Sequence, residues 1–189
     1  MDNIFIMGGR DRNFVDSKSC LVLNTNNYRL NYNKTMNRAR QIPASTVFEG
    51  RVVVSGGLVN NNDDSNTVEV YDHVANIWSY MPNMIYSRSH HSLVAVRNKL
   101  YVFGGFSKTC EVFDSSSNKF SILKTPSSLP DMGVYMLRGA VSVGKNILIF
   151  MRNSRTLVYF DFEKSDWSEK PFDVTKEFQF DWFLKIPKM

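Results

Sequence analysis

The sequence predicts an all-β repeat protein built from about four four-stranded sheets, and three observations predict it. First, Gly-Gly pairs recur at one fixed interval, at Gly8-Gly9, Gly56-Gly57 and Gly104-Gly105. Each pair closes an apolar run: Ile4-Phe5-Ile6-Met7, Val52-Val53-Val54-Ser55 and Leu100-Tyr101-Val102-Phe103. A fourth run, Ile147-Leu148-Ile149-Phe150, follows after almost the same interval but ends in Met151-Arg152. Such a period is too long for one helix pair or one strand pair, and it suits a propeller blade of four strands. Second, an apolar or aromatic residue is followed seven positions later by another: Leu23 by Leu30, Tyr71 by Trp78, Phe113 by Phe120 and Phe160 by Trp167. Third, aromatic residues make up 13% of the 189-residue chain, with no long segment of helical apolar spacing, which favours strands.

Each element follows from that frame. In the third unit the innermost strand is expected over residues 92–96, the second over 99–103, the third over 109–113 and the outermost over 120–123, with Arg97-Asn98 as the first tight turn. The Gly pair ends the second strand, where the backbone must approach a neighbour closely or take positive φ. Asn24, Asp72, Asp114 and Asp161 stand right after the first member of each seven-residue pair, as turn formers where the third strand reverses into the fourth. The loops between second and third strands are long in units one and two (10–19 and 58–66) and short in units three and four (106–108 and 152–155). The polar stretch 60–66 is expected to be a mobile tip. The blades are placed at about 1–31, 43–80, 91–124 and 137–170, within one repeat domain over 1–189. Unit one starts directly at its second strand. The segment 178–186 alternates Phe178, Phe180, Trp182, Leu184 and Ile186, and is expected to be an innermost strand that closes the array and removes an open edge.

Composition narrows the function classes. The net charge is +5, but Lys and Arg are scattered without a basic run, so no nucleic-acid partner is expected. No apolar run reaches membrane-spanning length, and the N-terminus lacks a basic leader with a cleavage site, so a cytoplasmic protein without a membrane partner is expected. The two cysteines, Cys20 and Cys110, share a column with Val68 and Leu157; they read as small buried residues of different blades rather than a disulfide.

The Gly pair after an apolar strand and the aromatic–Asp…Trp spacing, carried by Gly56-Gly57, Tyr71-Asp72 and Trp78, resemble the kelch repeat. Glu69-Val70-Tyr71-Asp72 and Met84…Arg88-Ser89-His90-His91-Ser92 resemble more narrowly the BTB-kelch, or kelch-like, proteins. The resemblance implies a kelch-type β-propeller of about four blades, either part of a larger propeller, such as the C-terminal part of a BTB-kelch protein, or a compact four-bladed ring. Gly8, Gly9, Gly56, Gly57, Gly104, Gly105, Tyr71, Trp78, Phe113, Phe120, Phe160 and Trp167 are its expected structural residues. The family implies binding rather than chemistry: a non-catalytic propeller holds a segment of a partner protein, and a BTB domain, absent from this sequence, links the partner to a cullin ubiquitin ligase. Some members bind actin, which supplies the alternative partner and a cytoskeletal setting.

Candidate partner-binding residues lie on the loops between the outer strand and the next inner one. Arg40 precedes Arg88 by the same interval as the Gly pairs, and Arg138 holds the comparable place in unit three. Two readings stand open. The arginines could hold an acidic or phosphorylated partner segment by bidentate hydrogen bonds, or pair with local carbonyls and acids and tie blades together. Tyr86, Ser89, Tyr135 and Asn37 flank the column, and Arg10 and Arg12 follow the first Gly pair on the other class of loop. No cofactor and no metal is expected. Adjacent strand residues such as His90 and His91 face opposite ways, and no zinc spacing occurs. There is no phosphate-binding loop and no G-x-S-x-G elbow, and Asp63-Asp64 lie in a polar loop. An oxidising or carbohydrate-active enzyme on the same scaffold is the remaining, weaker reading.

Overall fold

The computed structural model describes residues 3–60, 63–105, 107, 109–127, 137–151 and 156–171, and every regular element among them is a β-strand. The chain forms two compact units, Met1–Ser89 and His90–Met189. The first holds β1 (Asn3–Met7), β2 (Cys20–Asn24), β3 (Arg29–Tyr32), β4 (Ala44–Phe48), β5 (Arg51–Ser55), β6 (Leu58–Val59), β7 (Asp63–Asp64), β8 (Val68–Asp72) and β9 (Ile77–Met81). The second holds β10 (His91–Val96), β11 (Lys99–Gly104), β12 (Cys110–Asp114), β13 (Lys119–Leu123), β14 (Leu137–Val143), β15 (Asn146–Met151), β16 (Thr156–Asp161) and β17 (Asp166–Pro171). Three antiparallel sheets of four strands result, in the orders β4-β5-β8-β9, β10-β11-β12-β13 and β14-β15-β16-β17. The first sheet, β1-β2-β3, has three, with β1 at its edge. Residues 178–186, expected to supply a closing strand, lie outside the described residues.

The seven-residue pairs prove to be cross-strand neighbours. Leu23 faces Leu30, Tyr71 faces Trp78, Phe113 faces Phe120 and Phe160 faces Trp167. The ring centroids are 5.1 Å, 5.1 Å and 4.9 Å apart in the three aromatic pairs, within the range of favourable tilted packing. The hairpins between them share one construction. Oδ1 of Asn24 accepts the amides of Asn26 and Asn27, Asp72 those of Val74 and Ala75, and Asp161 those of Glu163 and Lys164. Asp114 accepts both the hydroxyl and the amide of Ser116. Four positions after each of these residues the backbone turns left-handed, at Tyr28, Asn76, Asn118 and Ser165. A side-chain cap at the start of the turn holds this conformation without requiring glycine.

Neighbouring sheets within a unit pack through the faces that the alternation exposes. In the first unit Cys20, Met36, Val52, Val54, Tyr71 and Trp78 form a buried cluster, with Phe5 and Met7 against it. In the second, Tyr101 and Phe103 join Ile147, Ile149, Val158 and Phe160. The outer-strand tryptophans add a polar tie. Trp78 Nε1 donates to the Lys34 carbonyl at 2.8 Å, and Trp167 Nε1 to the Lys124 carbonyl at 2.9 Å. Each indole thus satisfies its N–H on the connection that leaves the preceding sheet. Cys20 and Cys110 are both buried and form no disulfide, and burial pushes the Cys20 thiol up to about 11.

Two expectations need correction. Part of the expected tip at 60–66 is structured: Asp63-Asp64 pair as β7 with β6, and the Ser65 amide bonds to the Gly57 carbonyl, whereas residues 61 and 62 lie outside the described residues. Its backbone partners outweigh its polar composition. His90 lies outside β10, exposed and at positive φ, whereas His91 begins the strand and is buried. The two are separated by a bend rather than by strand alternation.

The capped turns make a pH-dependent prediction. The amides of Ala75 and Val74 hold the Asp72 carboxyl below its ordinary 3.8. A carboxylate lowered on folding stabilises fully above 3.8 and loses that contribution as pH falls through its folded value. Asp72→Ala should therefore lower the melting temperature at neutral pH, and the gap to the unsubstituted protein should close in acid. Thermal unfolding monitored by circular dichroism across a pH series checks this; a gap that stays constant into acid contradicts it.

Candidate functional site: the loop end of the first unit

One end of the first unit is built from the loops that follow the Gly pairs and the connections that carry the arginine column. A hydrogen-bond motif recurs there with the period of the repeat. The Gly9 amide donates to the Arg40 carbonyl (2.9 Å), the Arg40 amide to Ser17 (3.0 Å) and the Ser17 amide to Gly9 (2.9 Å). Gly57, Arg88 and Ser65 repeat it: Gly57 to Arg88 at 2.8 Å, Arg88 to Ser65 at 2.9 Å and Ser65 to Gly57 at 3.0 Å. Met36 and Met84 continue the correspondence, donating to the Lys18 and Asn66 carbonyls from buried positions. The arginine column is thus defined first by its backbone, which closes the loop after the second strand onto the connection between sheets.

This closure explains the glycines. Gly8 has φ +72, and a Cβ there would collide with the Arg40 carbonyl oxygen. Gly57 has φ +94, and a Cβ would lie 2.8 Å from the Gln41 carbonyl oxygen. Both the left-handed backbone and the close approach demand the absence of a side chain.

The Arg40 side chain is fully buried. Its Nη1 donates to the Gly56 carbonyl at 2.5 Å and to that of Thr67 at 3.3 Å; Nη2 reaches Thr67 Oγ1 at 3.2 Å and Glu69 Oε1 at 2.6 Å. Glu69 is equally buried and also accepts the amides of Asn37 (2.7 Å) and Arg38 (3.1 Å). Burial lowers the Arg40 pKa from its ordinary value, and the hydrogen bond and charge of Glu69 oppose that shift. The pair joins the connection at 37–40 to the second strand and third strand of the next sheet. Of the two readings left open for Arg40, the geometry fits the tie between connection and sheet: the side chain has no exposed surface, and Nη1 and Nη2 bond to Gly56, Thr67 and Glu69, while Nε is buried without a hydrogen-bond partner.

The other expected site residues divide. Arg88 and Ser89 are also fully buried, with the Arg88 guanidinium carbon 5.9 Å from the centre of the Tyr86 ring. Neither presents the surface that the partner reading requires. Tyr86 does, at 43% exposure, beside Ile85 at 46%. Asn37 is exposed, though its Nδ2 donates to the Trp78 carbonyl at 3.1 Å. Arg10 pairs with Asp16 at 3.1 Å across a short bridge. Arg138 has its backbone in β14 at a register shift between Leu137 and Gly139, and Tyr135 lies outside the described residues.

The loop between Gly9 and Ser17 is more ordered than its sequence suggests. Asp11 Oδ1 accepts the amides of Asn13 and Val15, and the Asp11 and Val15 backbones bond to each other. This holds Phe14 in the left-handed region at φ 62, with 77% of its surface exposed, and Val15 at 60%. Sequence reading passed over both these residues, and met Glu69 only as part of the Glu69-Val70-Tyr71-Asp72 motif, not as a site residue. Glu69 stands in a column otherwise filled by Leu21, Glu111 and Val158, and only the pairing of its carboxylate with the connection separates it from a strand surface position. Ser17 and Ser65 were visible in principle, being spaced by the same repeat as the glycines and arginines.

Among the described residues no three His, Cys, Asp or Glu side chains gather into a metal-binding group. The arrangement offers shape and main-chain rigidity, with exposed apolar tips.

Stacked four-stranded antiparallel sheets, tied at one end by a repeated glycine–arginine backbone closure, define a blade-repeat protein of the β-propeller type. Comparison with known proteins specifies it further. Residues 43–85 and 87–127 match the Kelch motif. The chain is 30% identical to Kelch-like protein 40 of Xenopus tropicalis over 56% of its length, and 26% identical to Kelch-like protein 15 of Danio rerio over 67%. It is 27% identical to Kelch repeat and BTB domain-containing protein 8 of Danio rerio over 66%. It spans 17%, 26% and 22% of those three relatives. The segments 43–85 and 87–127 are kelch repeats, similar to those of the kelch-like relatives, and kelch repeats generally form a non-catalytic protein-interaction fold.

The closure yields a graded prediction. Gly8→Ala must both strain φ and displace the Arg40 carbonyl, whereas Gly50→Ala meets nothing within 4 Å and suffers only its φ of +73. Gly50→Ala should cost about 1 kcal/mol, and Gly8→Ala roughly 2–3 kcal/mol. Urea unfolding of the two variants measures the difference; equal costs would show that the approach to Arg40 does not constrain the loop.

Proposed function

We propose that the chain is a non-catalytic protein-recognition module that meets its partner with the loop end of the first unit. The observation that carries this reading is the combination of pinned backbone and exposed apolar tips: Phe14, Val15, Ile85 and Tyr86 project from loops that the Gly9–Arg40–Ser17 and Gly57–Arg88–Ser65 closures hold in place. Aromatic and aliphatic side chains on an ordered backbone bind with little further entropy loss, which is what an interface anchor needs. The buried arginines serve this reading indirectly, as supports of the loops. An acidic partner segment would have to meet exposed basic residues such as Arg12 instead.

Within a longer protein the module would act as a substrate receptor for a cullin–RING ubiquitin ligase, with a BTB domain making the ligase contact. The similarity to a kelch repeat and BTB domain-containing protein supports that assignment. Buried cysteines without a disulfide, Cys20 and Cys110, suit the reducing cytoplasm.

The test compares the unsubstituted chain with Phe14→Ala/Tyr86→Ala in affinity capture from cytoplasmic extract, alongside co-sedimentation with purified filamentous actin. The reading expects proteins captured by the first chain and lost, about tenfold or more, from the second, with unchanged melting temperatures and no actin in common. Equal capture by both chains overturns the loop-end reading. Saturable pelleting with actin that ignores the two substitutions would make actin the partner instead.

A further inference from the structure

Among the described residues, most non-glycine positions with positive φ belong to hairpin turns. Ile42 is the one β-branched residue in the set, at φ 50. Branching at Cβ makes the left-handed region a genuine outlier for it. Pro43 follows directly, and a proline pushes the residue before it toward extended backbone as well. Two steric preferences are therefore violated at one residue, and its side chain is 44% exposed.

The fold accounts for the bend but not for the isoleucine. The Arg40 amide donates to Ser17 and the Arg40 carbonyl accepts from Gly9. Gln41 exchanges both of its backbone hydrogen bonds with Leu58, at 2.9 Å and 2.7 Å. Gly57 lies so close that a Cβ there would be 3.3 Å from the Pro43 Cα. With 40–41 pinned and β4 starting at Ala44, the chain must turn left-handed at residue 42. The repeat makes the same bend at His90, two positions after Arg88, at φ 54. Glycine makes such a bend without steric cost. Isoleucine makes it at the expense of stability and contributes an apolar side chain of which nearly half is exposed. Strain of this kind persists where the surroundings over-determine it, and it gathers at binding sites.

We propose that Ile42 is a partner-contacting residue, met by an apolar side chain of the partner protein. This rests on the loop-end reading and names the chemistry of the segment bound there. Residues 40–41 bond both to the loop at 9–17, which carries Phe14 and Val15, and to Leu58 in the loop after the second Gly pair. Ile42 thus follows the junction of the two pinned loops. Phe14, Val15, Ile85 and Tyr86, the other projecting residues of this end, are apolar too, and the Arg40 side chain is inside. The surface suits a hydrophobic segment rather than an acidic one.

Ile42→Gly and Ile42→Leu test this on the full chain. The readouts are thermal unfolding and affinity capture, from cytoplasmic extract, of the proteins that Phe14→Ala/Tyr86→Ala loses. Ile42→Gly should melt roughly 2–4 °C higher, because the bend is relieved, yet capture about tenfold less. Ile42→Leu removes the β-branch, keeps an apolar side chain and should capture as the unsubstituted chain does. A lower melting temperature for Ile42→Gly overturns the proposal, because the side chain would then serve the chain's own packing. Full capture by Ile42→Gly, with capture lost from Phe14→Ala/Tyr86→Ala, overturns the role of Ile42 alone. Full capture by both variants overturns the loop-end reading and the proposal with it.

Discussion

The ion pair between Arg40 and Glu69 is the contact on which the loop end of the first unit depends. Both groups are fully buried, so neither is tolerable without the other. Their pairing also places Gly56, Thr67, Asn37 and Arg38 in fixed relation, because the guanidinium and the carboxylate share out their remaining hydrogen bonds among those four residues. A buried pair of this kind adds little net stability over an apolar replacement, but it restricts the ways in which a connection can meet a sheet. Here it determines where the connection at 36–42 lies, and through the Gly9 and Ser17 bonds it determines the path of the loop at 9–17. Without it, Phe14 and Val15 would sit on a loop tied only to its own turns.

Binding and rigidity are linked by that dependence. A partner surface made of exposed arginines would rely on long, mobile side chains whose order is lost and regained with each encounter. The structure puts Arg40 and Arg88 inside and leaves the projecting positions to Phe14, Val15, Ile85 and Tyr86. The main chain beneath these residues is already hydrogen-bonded, so their conformational cost is met during folding. The column that looks like a binding motif in sequence acts in the fold as a frame for neighbouring residues.

Much of the architecture was legible because it depends on local spacing. Periodic glycines, seven-residue cross-strand pairs and Asx residues at the hairpins are each determined by chain geometry within a few residues, and all reappear in the structure as positive φ, facing rings and capped turns. The fate of Arg40 was not legible in the same way. Spacing located it, but whether its charge points outward or inward depends on a carboxylate 29 positions away, in a strand where alternation alone would permit any side chain. The pairing of 58–59 with 63–64 escaped for a related reason: the composition there is that of a polar tip, and its backbone bonds reach Gln41 and Arg88, which no local pattern reveals.

A double-mutant cycle on Arg40 and Glu69 addresses the central dependence most directly. Stability toward urea would be measured for Arg40→Met, Glu69→Leu and the combined variant. Each single substitution should cost about 3–5 kcal/mol by stranding a buried charge or its amide partners, and the combined variant should lose less than their sum by about 2 kcal/mol or more. Additive losses would contradict the account, because the connection and the sheet would then be held independently of the pair.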